Sequence, residues 1–269
     1  MTMLNLDSQN SLYYEYHAPK AGKPSFVFIN PITGDVSLWN GHTVPALQAL
    51  GFGTLVYNFR GQDKSTYADG TDLTDTLIIT DLDRLIAEVK PERPILTGLS
   101  IGGLYAARAI LSGTEAVGLV LINTLRKITP RIQWMNDASL RVMDVGGPNL
   151  MKDLYFQFIT GEPFQVANRS EFLKDKPDYT PLDKSSGAYN LLTWMGKTDW
   201  DIAWSQLKLP TLVLSGLQDR VFFDAPIVDE LFKSLPDGQR IDMPDAGHML
   251  PAELPESFTK ALIAFGNKI

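Results

Sequence analysis

The sequence contains no cysteine and only three histidines, which are His17, His42 and His248. Because cysteine is missing, the chain cannot form disulfides, thiolate metal sites or a cysteine nucleophile. A chain without disulfides fits the reducing cytoplasm, which is the location that we expect. Because the chain has only three histidines, few residues can supply an imidazole base. We expect His17 at the surface and His42 in a structural or rim position, which favours His248.

The chain is also poor in basic residues and has no long hydrophobic run. Its 24 Lys and Arg against 31 Asp and Glu give a net charge of −7, which argues against nucleic-acid and anionic-membrane partners. The apolar runs fall well short of the roughly 18 residues that a membrane span requires. Residues 1–10 are polar and lack the apolar core of a signal peptide. These absences indicate a globular protein without nucleic-acid or membrane partners, and we expect a monomer or homodimer that acts on a small molecule.

Short apolar segments in the first half of the chain alternate with helical patterns. The predicted strands are residues 12–16, 25–30, 54–59, 94–97 and 117–123. We expect the first of them at an edge of the sheet. Helices are predicted at residues 38–50, between Asp75 and Pro91, and directly after the 94–97 strand. This alternation predicts an α/β fold with a mostly parallel central sheet flanked by helices.

The alternation stops between residues 124 and 209, where no strand pattern is found. Helical fragments there are interrupted at residues 146–148, 161–163 and 176–177 by glycine and proline. Strands return at 211–215 and 239–243, with helices at 226–235 and at the end of the chain. We therefore predict a core of residues 1–123 and 210–269 that carries residues 124–209 as a helical cap. The four tryptophans of this insertion form its own core, and a few of them can also line an apolar pocket for a ligand.

The segment Gly98-Leu99-Ser100-Ile101-Gly102 lies between a predicted strand and a predicted helix. A serine held on a sharp turn between two glycines is typical of a nucleophile elbow. A side chain at either glycine would collide where two backbones approach closely. The spacing by itself fits an ordinary turn serine equally well, so the interpretation depends on a base and an acid elsewhere in the chain.

Two further residues follow predicted strands and complete a candidate triad with Ser100. The carboxyl ends of parallel strands meet at one edge of a sheet, so the loops that follow them converge. His248 follows the 239–243 strand and is the predicted base, and Asp219 follows the 211–215 strand and is the predicted acid. Asp245 competes for the role of the acid, although it more naturally shapes the loop of His248. Asp224 is expected to cap a helix.

The remaining site predictions concern an oxyanion hole and substrate contacts. The backbone N–H of Ile101 is one expected donor. The second is the N–H of Ile32, with Thr33 as the next candidate, because Pro31 has no N–H. Five aromatic residues are predicted to contact substrate: Trp39, Trp134, Tyr155, Trp194 and Trp204.

Over nearly its whole length the chain resembles the α/β-hydrolase family with a helical cap. The order Ser100, Asp219, His248 matches the family order of nucleophile, acid and base. The elbow segment is similar to those of esterases, enol-lactonases and cofactor-free haloperoxidase-like members. The resemblance implies a serine hydrolase that cleaves a carboxylic ester, lactone or thioester through an acyl-enzyme on Ser100, with no cofactor and no metal.

Two segments depart from the family pattern. Asn30-Pro31 stands where His-Gly is usual, and Asn58 and Asp63 replace the Asp and Gly of the Asp-x-Arg-Gly-x-Gly-x-Ser pattern. Other functions on the same scaffold therefore stay open. They are a hydrolase of carbon–carbon bonds, a cofactor-free lyase or oxygenase, an acyltransferase, and a small-molecule receptor that retains the three residues.

Overall fold

Eight strands form one central sheet in the computed structural model, which describes residues 2–269. They are β1 (Thr2–Asn5), β2 (Ser11–His17), β3 (Ser25–Ile29), β4 (Gly53–Tyr57), β5 (Pro94–Leu99), β6 (Gly118–Ile122), β7 (Thr211–Gly216) and β8 (Gly238–Met243). Their spatial order is β1-β2-β4-β3-β5-β6-β7-β8. β3 to β8 pair in parallel, whereas β2 pairs antiparallel with both β1 and β4. Met1, where the predicted core segment begins, lies outside the described residues.

Helices cover both faces of this sheet. They are α1 (Ser37–Asn40), α2 (Thr43–Ala49), α3 (Asp75–Val89), α4 (Ile101–Ser112), α5 (Pro130–Ile159), α6 (Glu162–Phe172), α7 (Gly187–Met195), α8 (Ala225–Ser234), α9 (Leu250–Glu253) and α10 (Pro255–Gly266). The core has two layers because successive side chains of a strand point to opposite faces. Along β3, Val27 packs into one layer and its neighbours Phe26 and Phe28 into the other. The predicted mostly parallel α/β architecture is confirmed.

Two predictions about the N-terminal third were wrong. The strand over residues 12–16 is not at the edge, because β1 forms an antiparallel hairpin with it and takes the edge position. The single helix predicted over 38–50 is two short helices, α1 and α2. Pro45 explains the break, since its ring would clash with the carbonyl of Gly41 in a continuous helix.

The segment between β6 and β7 contains α5, α6 and α7, as the absence of a strand pattern predicted. The break expected at residues 146–148 is a kink inside α5, where Gly147 adopts φ 61° and ψ −157°. The assignment of residues 124–209 as a cap stays a prediction. Within residues 2–269, no helix is long and apolar enough to cross a membrane.

Candidate active site

Ser100 occupies the turn between β5 and α4 in a strained backbone conformation. Its φ of 58° and ψ of −121° lie in a backbone region that residues other than glycine rarely adopt. A Cβ on Gly98 would lie 2.2 Å from the carbonyl carbon of Gly102, and a Cβ on Gly102 would lie 2.4 Å from the carbonyl oxygen of Ile29. The two glycines are therefore required by backbone contact. Together they hold the serine on a sharp strand-to-helix turn.

Asp219 and His248 form a buried pair at the same edge of the sheet. Asp219 Oδ2 lies 2.6 Å from His248 Nδ1, and the two residues are only 2% and 5% exposed. The second carboxylate oxygen accepts the N–H groups of Val221 and Phe222 at 3.1 and 2.9 Å. This arrangement directs the acid at the imidazole and leaves Nε2 as the nitrogen available for other contacts.

The charge state of Asp219 follows from its neighbours. Burial acts to raise the pKa of Asp219, but the charge and hydrogen bond of His248 oppose it. With the N–H of Phe222 and the charge of Arg126 added, the pKa of Asp219 lies below its ordinary value. The carboxylate is therefore ionised at neutral pH. Because it can then only accept a hydrogen bond, Nδ1 of His248 carries the proton.

Glu253 holds the loop that carries His248. Its Oε2 accepts the N–H of Gly247 at 2.9 Å, and its Oε1 accepts the N–H of Met249 at 2.8 Å. Oε2 also accepts the N–H of Gly161, two residues beyond the end of α5, at 2.6 Å. One carboxylate therefore fixes the backbone on both sides of His248 and joins this loop to the end of the inserted helix.

Asn123 connects the loops that follow three neighbouring strands. It lies directly after β6 with a φ of 48°. Its side-chain N–H donates to the carbonyls of Gly247 and His248 at 3.1 and 2.9 Å. Its Oδ1 accepts the N–H of Gly216 at 2.8 Å. This asparagine was not predicted from the sequence, although its place directly after a strand is the signal that selected Asp219.

The loop that faces the elbow is held by buried amide side chains. Asn30 is fully buried, and its Oδ1 accepts the indole N–H of Trp39 at 2.7 Å. Its Nδ2 lies 2.9 Å from the carbonyl oxygen of Tyr57 and 3.0 Å from Oδ1 of Asn58. The two departures from the family pattern, Asn30 and Asn58, therefore contact each other and form one hydrogen-bonded unit.

Gln62 determines the course of the next residues. Its Nε2 donates to the carbonyls of Pro31 and Ile32 at 3.0 and 3.3 Å, so these carbonyls point toward Gln62. Within residues 2–269, the N–H groups of Ile32, Thr33 and Ile101 donate to no backbone acceptor. The oxyanion-hole role of Ile32 and Ile101 stays a prediction.

Arg126 is a site residue that was not predicted from the sequence. Its Nη2 donates to Ser100 Oγ at 2.9 Å and to the carbonyl of Asn123 at 2.8 Å. Its guanidinium carbon lies 4.3 Å from the ring centre of Trp200 and 4.4 Å from that of Phe222. Burial lowers the pKa of Arg126 to about 10, against the opposing charge of Asp219. Arg126 follows β6, so the rule for strand ends covers it, but a lone arginine forms no motif.

The structure does not join all three triad candidates by hydrogen bonds. His248 is paired with Asp219, whereas the hydrogen bond at Ser100 Oγ comes from Arg126. No hydrogen bond connects Ser100 to His248 among residues 2–269. Phe222 bridges the two groups, since its ring lies against Arg126 and 4.7 Å from the imidazole ring.

Three of the five aromatic residues predicted to contact substrate are either buried in the core or exposed on a helix. Trp39 is fully buried, its ring centre lies 4.8 Å from that of Phe28, and its indole N–H donates to Asn30. Trp204 is also buried in the core. Trp134 is 78% exposed on α5. Burial among core side chains explains the placements of Trp39 and Trp204, because a large aromatic side chain is as suited to packing as to binding.

The other two predicted aromatics, Tyr155 and Trp194, are half-buried in the insertion. Lys197 Nζ lies 4.0 Å from the ring centre of Trp194. Substrate contact by these two residues stays a prediction. A tryptophan of the insertion that does reach the site is Trp200, through its contact with Arg126.

A groove of about 330 Å³ lies between α5 and α6. Phe156, Phe164 and Phe172 form its apolar wall, with ring centres 4.5 to 6.3 Å apart. None of the triad candidates lines this groove. The groove therefore belongs to the insertion itself.

The remaining titratable candidates lie away from the elbow. Asp224 accepts the N–H of Ile227 and caps α8, as expected. Asp245, His17 and His42 are exposed. Among residues 2–269, no group of three or more His, Asp and Glu side chains is arranged to hold a metal ion.

Comparison with known proteins agrees with the observed fold. Residues 26–261 match the sequence model of the alpha/beta hydrolase family. A Mycobacterium tuberculosis protein named as the non-heme bromoperoxidase BpoC is 26% identical over 248 residues, covering 89% of this chain and 92% of that protein.

Two solved structures share the fold. An esterase from Thermogutta terrifontis has a TM-score of 0.78 at 22% identity, covering 99% of this chain and 97% of that chain. The enol-lactonase from Burkholderia xenovorans has a TM-score of 0.76 at 23% identity, covering 95% of this chain and 96% of that chain. The resemblance to esterases, enol-lactonases and haloperoxidase-like proteins predicted from the sequence is confirmed.

Proposed function

Because the chain belongs to the α/β-hydrolase family, we propose that it is a serine hydrolase that cleaves a carboxylic ester, lactone or thioester. Ser100 Oγ attacks the carbonyl carbon, and His248 accepts the hydroxyl proton and returns it to the leaving group. Water then attacks the acyl-enzyme, with His248 again as the base, and releases the acid. Asp219 orients the imidazole throughout.

One observation carries this proposal: a buried Asp219–His248 pair lies at the sheet edge that also presents Ser100 on a strained turn. An ionised carboxylate 2.6 Å from Nδ1 stabilises the imidazolium that forms when Nε2 takes a proton. Similar proteins named esterase and enol-lactonase support chemistry at an ester or lactone carbonyl.

The hydrogen bond from Arg126 is compatible with this chemistry. A serine hydroxyl has two acceptor lone pairs and one donor hydrogen. Arg126 Nη2 uses a lone pair of Ser100 Oγ, which leaves the O–H free to donate to Nε2 of His248.

The Gln62 contacts support an oxyanion hole at Ile32 and Ile101. With the carbonyls of Pro31 and Ile32 engaged by Gln62, the N–H of Ile32 is left without a backbone acceptor within residues 2–269. The N–H of Ile101 is similarly unused at the start of α4. Two such donors stabilise a tetrahedral oxyanion, and losing one commonly costs about 2.7–4 kcal/mol of barrier.

Covalent labelling tests the proposal. A fluorophosphonate probe should modify the purified protein on Ser100, identified by peptide mass spectrometry, and Ser100→Ala should abolish labelling. His248→Ala should slow it strongly, because the hydroxyl then lacks its base. Ser170→Ala, which changes an exposed serine on α6, is the matched control and should label like the parent. Folded protein that never labels at Ser100 would contradict the acyl-enzyme.

One observation favours a second candidate, in which His248 acts on the substrate directly. Ser100 Oγ is hydrogen-bonded to Arg126 and not to His248. In a carbon–carbon hydrolase or a cofactor-free lyase or oxygenase, the imidazole would take a proton from a substrate hydroxyl or carbon acid. Turnover that survives Ser100→Ala and disappears in His248→Ala would establish this candidate over the first.

A further inference from the structure

Two arginine side chains are buried within residues 2–269, and their surroundings differ. Arg60 forms a two-pronged ion pair with the buried carboxylate of Asp81, at 2.6 and 2.7 Å. Arg126 is only 4% exposed, yet no carboxylate of the described chain lies within salt-bridge distance of it. A buried cation without an anionic partner is costly, and such groups are normally paired.

The guanidinium of Arg126 is held rigidly but keeps unused donors. Trp200 and Phe222 lie against it at 4.3 and 4.4 Å, which fixes its plane. Nη2 is engaged by Ser100 Oγ and the Asn123 carbonyl. Nε is buried without a partner, and Nη1 makes no hydrogen bond within residues 2–269. The cation is therefore oriented and only partly satisfied.

The nearest anionic group cannot neutralise it. Asp219 contributes to the charge environment of Arg126, but its carboxylate is committed to His248 and to the N–H groups of Val221 and Phe222. The cation thus stands beside Ser100 in surroundings with little water, where an incoming anion would gain most. A planar guanidinium matches the geometry of a carboxylate better than that of any neutral group.

We propose that Arg126 binds a carboxylate of the substrate, so that the preferred ester, lactone or thioester carries a free carboxylate near its scissile carbonyl. This inference rests on the proposed function, because it takes Ser100 as the nucleophile. The free Nη1 belongs to the same guanidinium as Nη2, which lies 2.9 Å from Ser100 Oγ, and this puts a carboxylate on Nη1 within about three carbon atoms of the carbonyl carbon. The carboxylate is not transformed in the reaction. It orients the acyl group and neutralises the buried charge.

Matched substrates test this inference. The monomethyl esters of malonic, succinic and glutaric acid are each compared with the corresponding methyl ester primary amide, which is neutral and of the same shape. We expect the parent to favour at least one acid over its amide by about tenfold or more in kcat/KM. Arg126→Met should remove this preference through KM for the acid, and Arg126→Lys should retain part of it. Arg220→Met, which removes an exposed arginine, should behave like the parent.

Two results would overturn the inference. One is a parent enzyme that treats acids and amides alike at all three lengths. The other is an Arg126→Met variant that loses activity equally on both, since Arg126 would then act on Ser100 and not on the substrate.

Labelling separates failure of this inference from failure of the proposed function. Fluorophosphonate modification of Ser100 reports on the proposed function alone. If the enzyme turns over no ester, the role of Arg126 can still be decided from melting temperatures. The shift that malonate, succinate or glutarate causes is compared with the shift that the corresponding diamide causes. Stabilisation of the parent by a dicarboxylate, absent in Arg126→Met, supports the inference. Equal shifts by acids and diamides, or no shift, contradict it.

Discussion

Replacing Arg126 with methionine should leave the free energy of unfolding nearly unchanged, although the side chain is buried. Burial lowers the pKa of Arg126 from its ordinary value above 12 to about 10. The cation therefore destabilises the fold at every pH below about 10, and this penalty fades as the pH rises toward the unfolded value. At 1.36 kcal/mol per pKa unit, the penalty at neutral pH is about 3 kcal/mol.

The substitution also removes favourable contacts of similar total size. Each aromatic ring packed on the guanidinium contributes about 1 kcal/mol. The hydrogen bond to the Asn123 carbonyl contributes about another 1 kcal/mol. Methionine keeps much of the volume and its sulfur packs well on Trp200 and Phe222. We therefore expect Arg126→Met to change the stability by no more than about 1 kcal/mol in either direction.

The stability change of Arg126→Met is best compared with that of Arg60→Met. The Arg60→Met substitution leaves Asp81, which is 1% exposed, as an unpaired buried carboxylate. Breaking a buried ion pair from one side costs about 3–5 kcal/mol. The two variants make the same chemical change at two equally buried arginines, so the difference between them reports on the missing carboxylate partner.

Urea unfolding at pH 7, followed by far-ultraviolet circular dichroism, provides the measurement. The slopes of the two variants should agree, so that the midpoints compare stabilities. If Arg126→Met is as destabilising as Arg60→Met, then the cation stabilises the fold, and the argument that it is kept for a ligand is refuted. A stability near that of the parent, together with loss of the preference for acids, would separate binding from folding.

Two more variants probe the site. Gln62→Met removes the donors to the carbonyls of Pro31 and Ile32, so kcat for an ester that the enzyme turns over should fall about tenfold or more, with little change in KM. Asp63→Asn, at the exposed neighbouring position, is the control. An unchanged kcat in Gln62→Met would exclude Gln62 from a role in the oxyanion loop. Asp219 has a lowered pKa, so its ionised form stabilises the fold above the unfolded value of about 3.9, and this contribution is lost as the pH falls through the folded pKa. The stability of Asp219→Asn by urea titration should therefore depend less steeply on pH in this acid range than that of the parent, and identical slopes would contradict the pairing with His248.

Several features of the fold were readable from local pattern. Strands such as β3 and β6 are apolar throughout because helices cover both faces of a parallel sheet. The elbow around Ser100 was readable because its glycines are required by backbone contact within a few residues. The break between α1 and α2 was equally local, since Pro45 forbids a continuous helix, and could have been predicted.

The sequence by itself determined the α/β architecture and the convergence of Ser100, Asp219 and His248 at one sheet edge. The alternation of strands and helices implies parallel strands joined by right-handed crossovers, and these bring the carboxyl ends of the strands to one edge whatever the loops contain. Position after a strand, together with residue type, is thus enough to select Ser100, Asp219 and His248.

Only the tertiary structure decided which side chain contacts which. Arg126 reaches Ser100 Oγ and Gln62 holds the Pro31 loop through contacts between segments far apart in sequence. Such contacts depend on differences of about an ångström in backbone position and on rotamers set by packing. No periodicity encodes them. The buried cation beside Ser100, which carries our inference about the substrate, is therefore visible in the fold and absent from every sequence pattern.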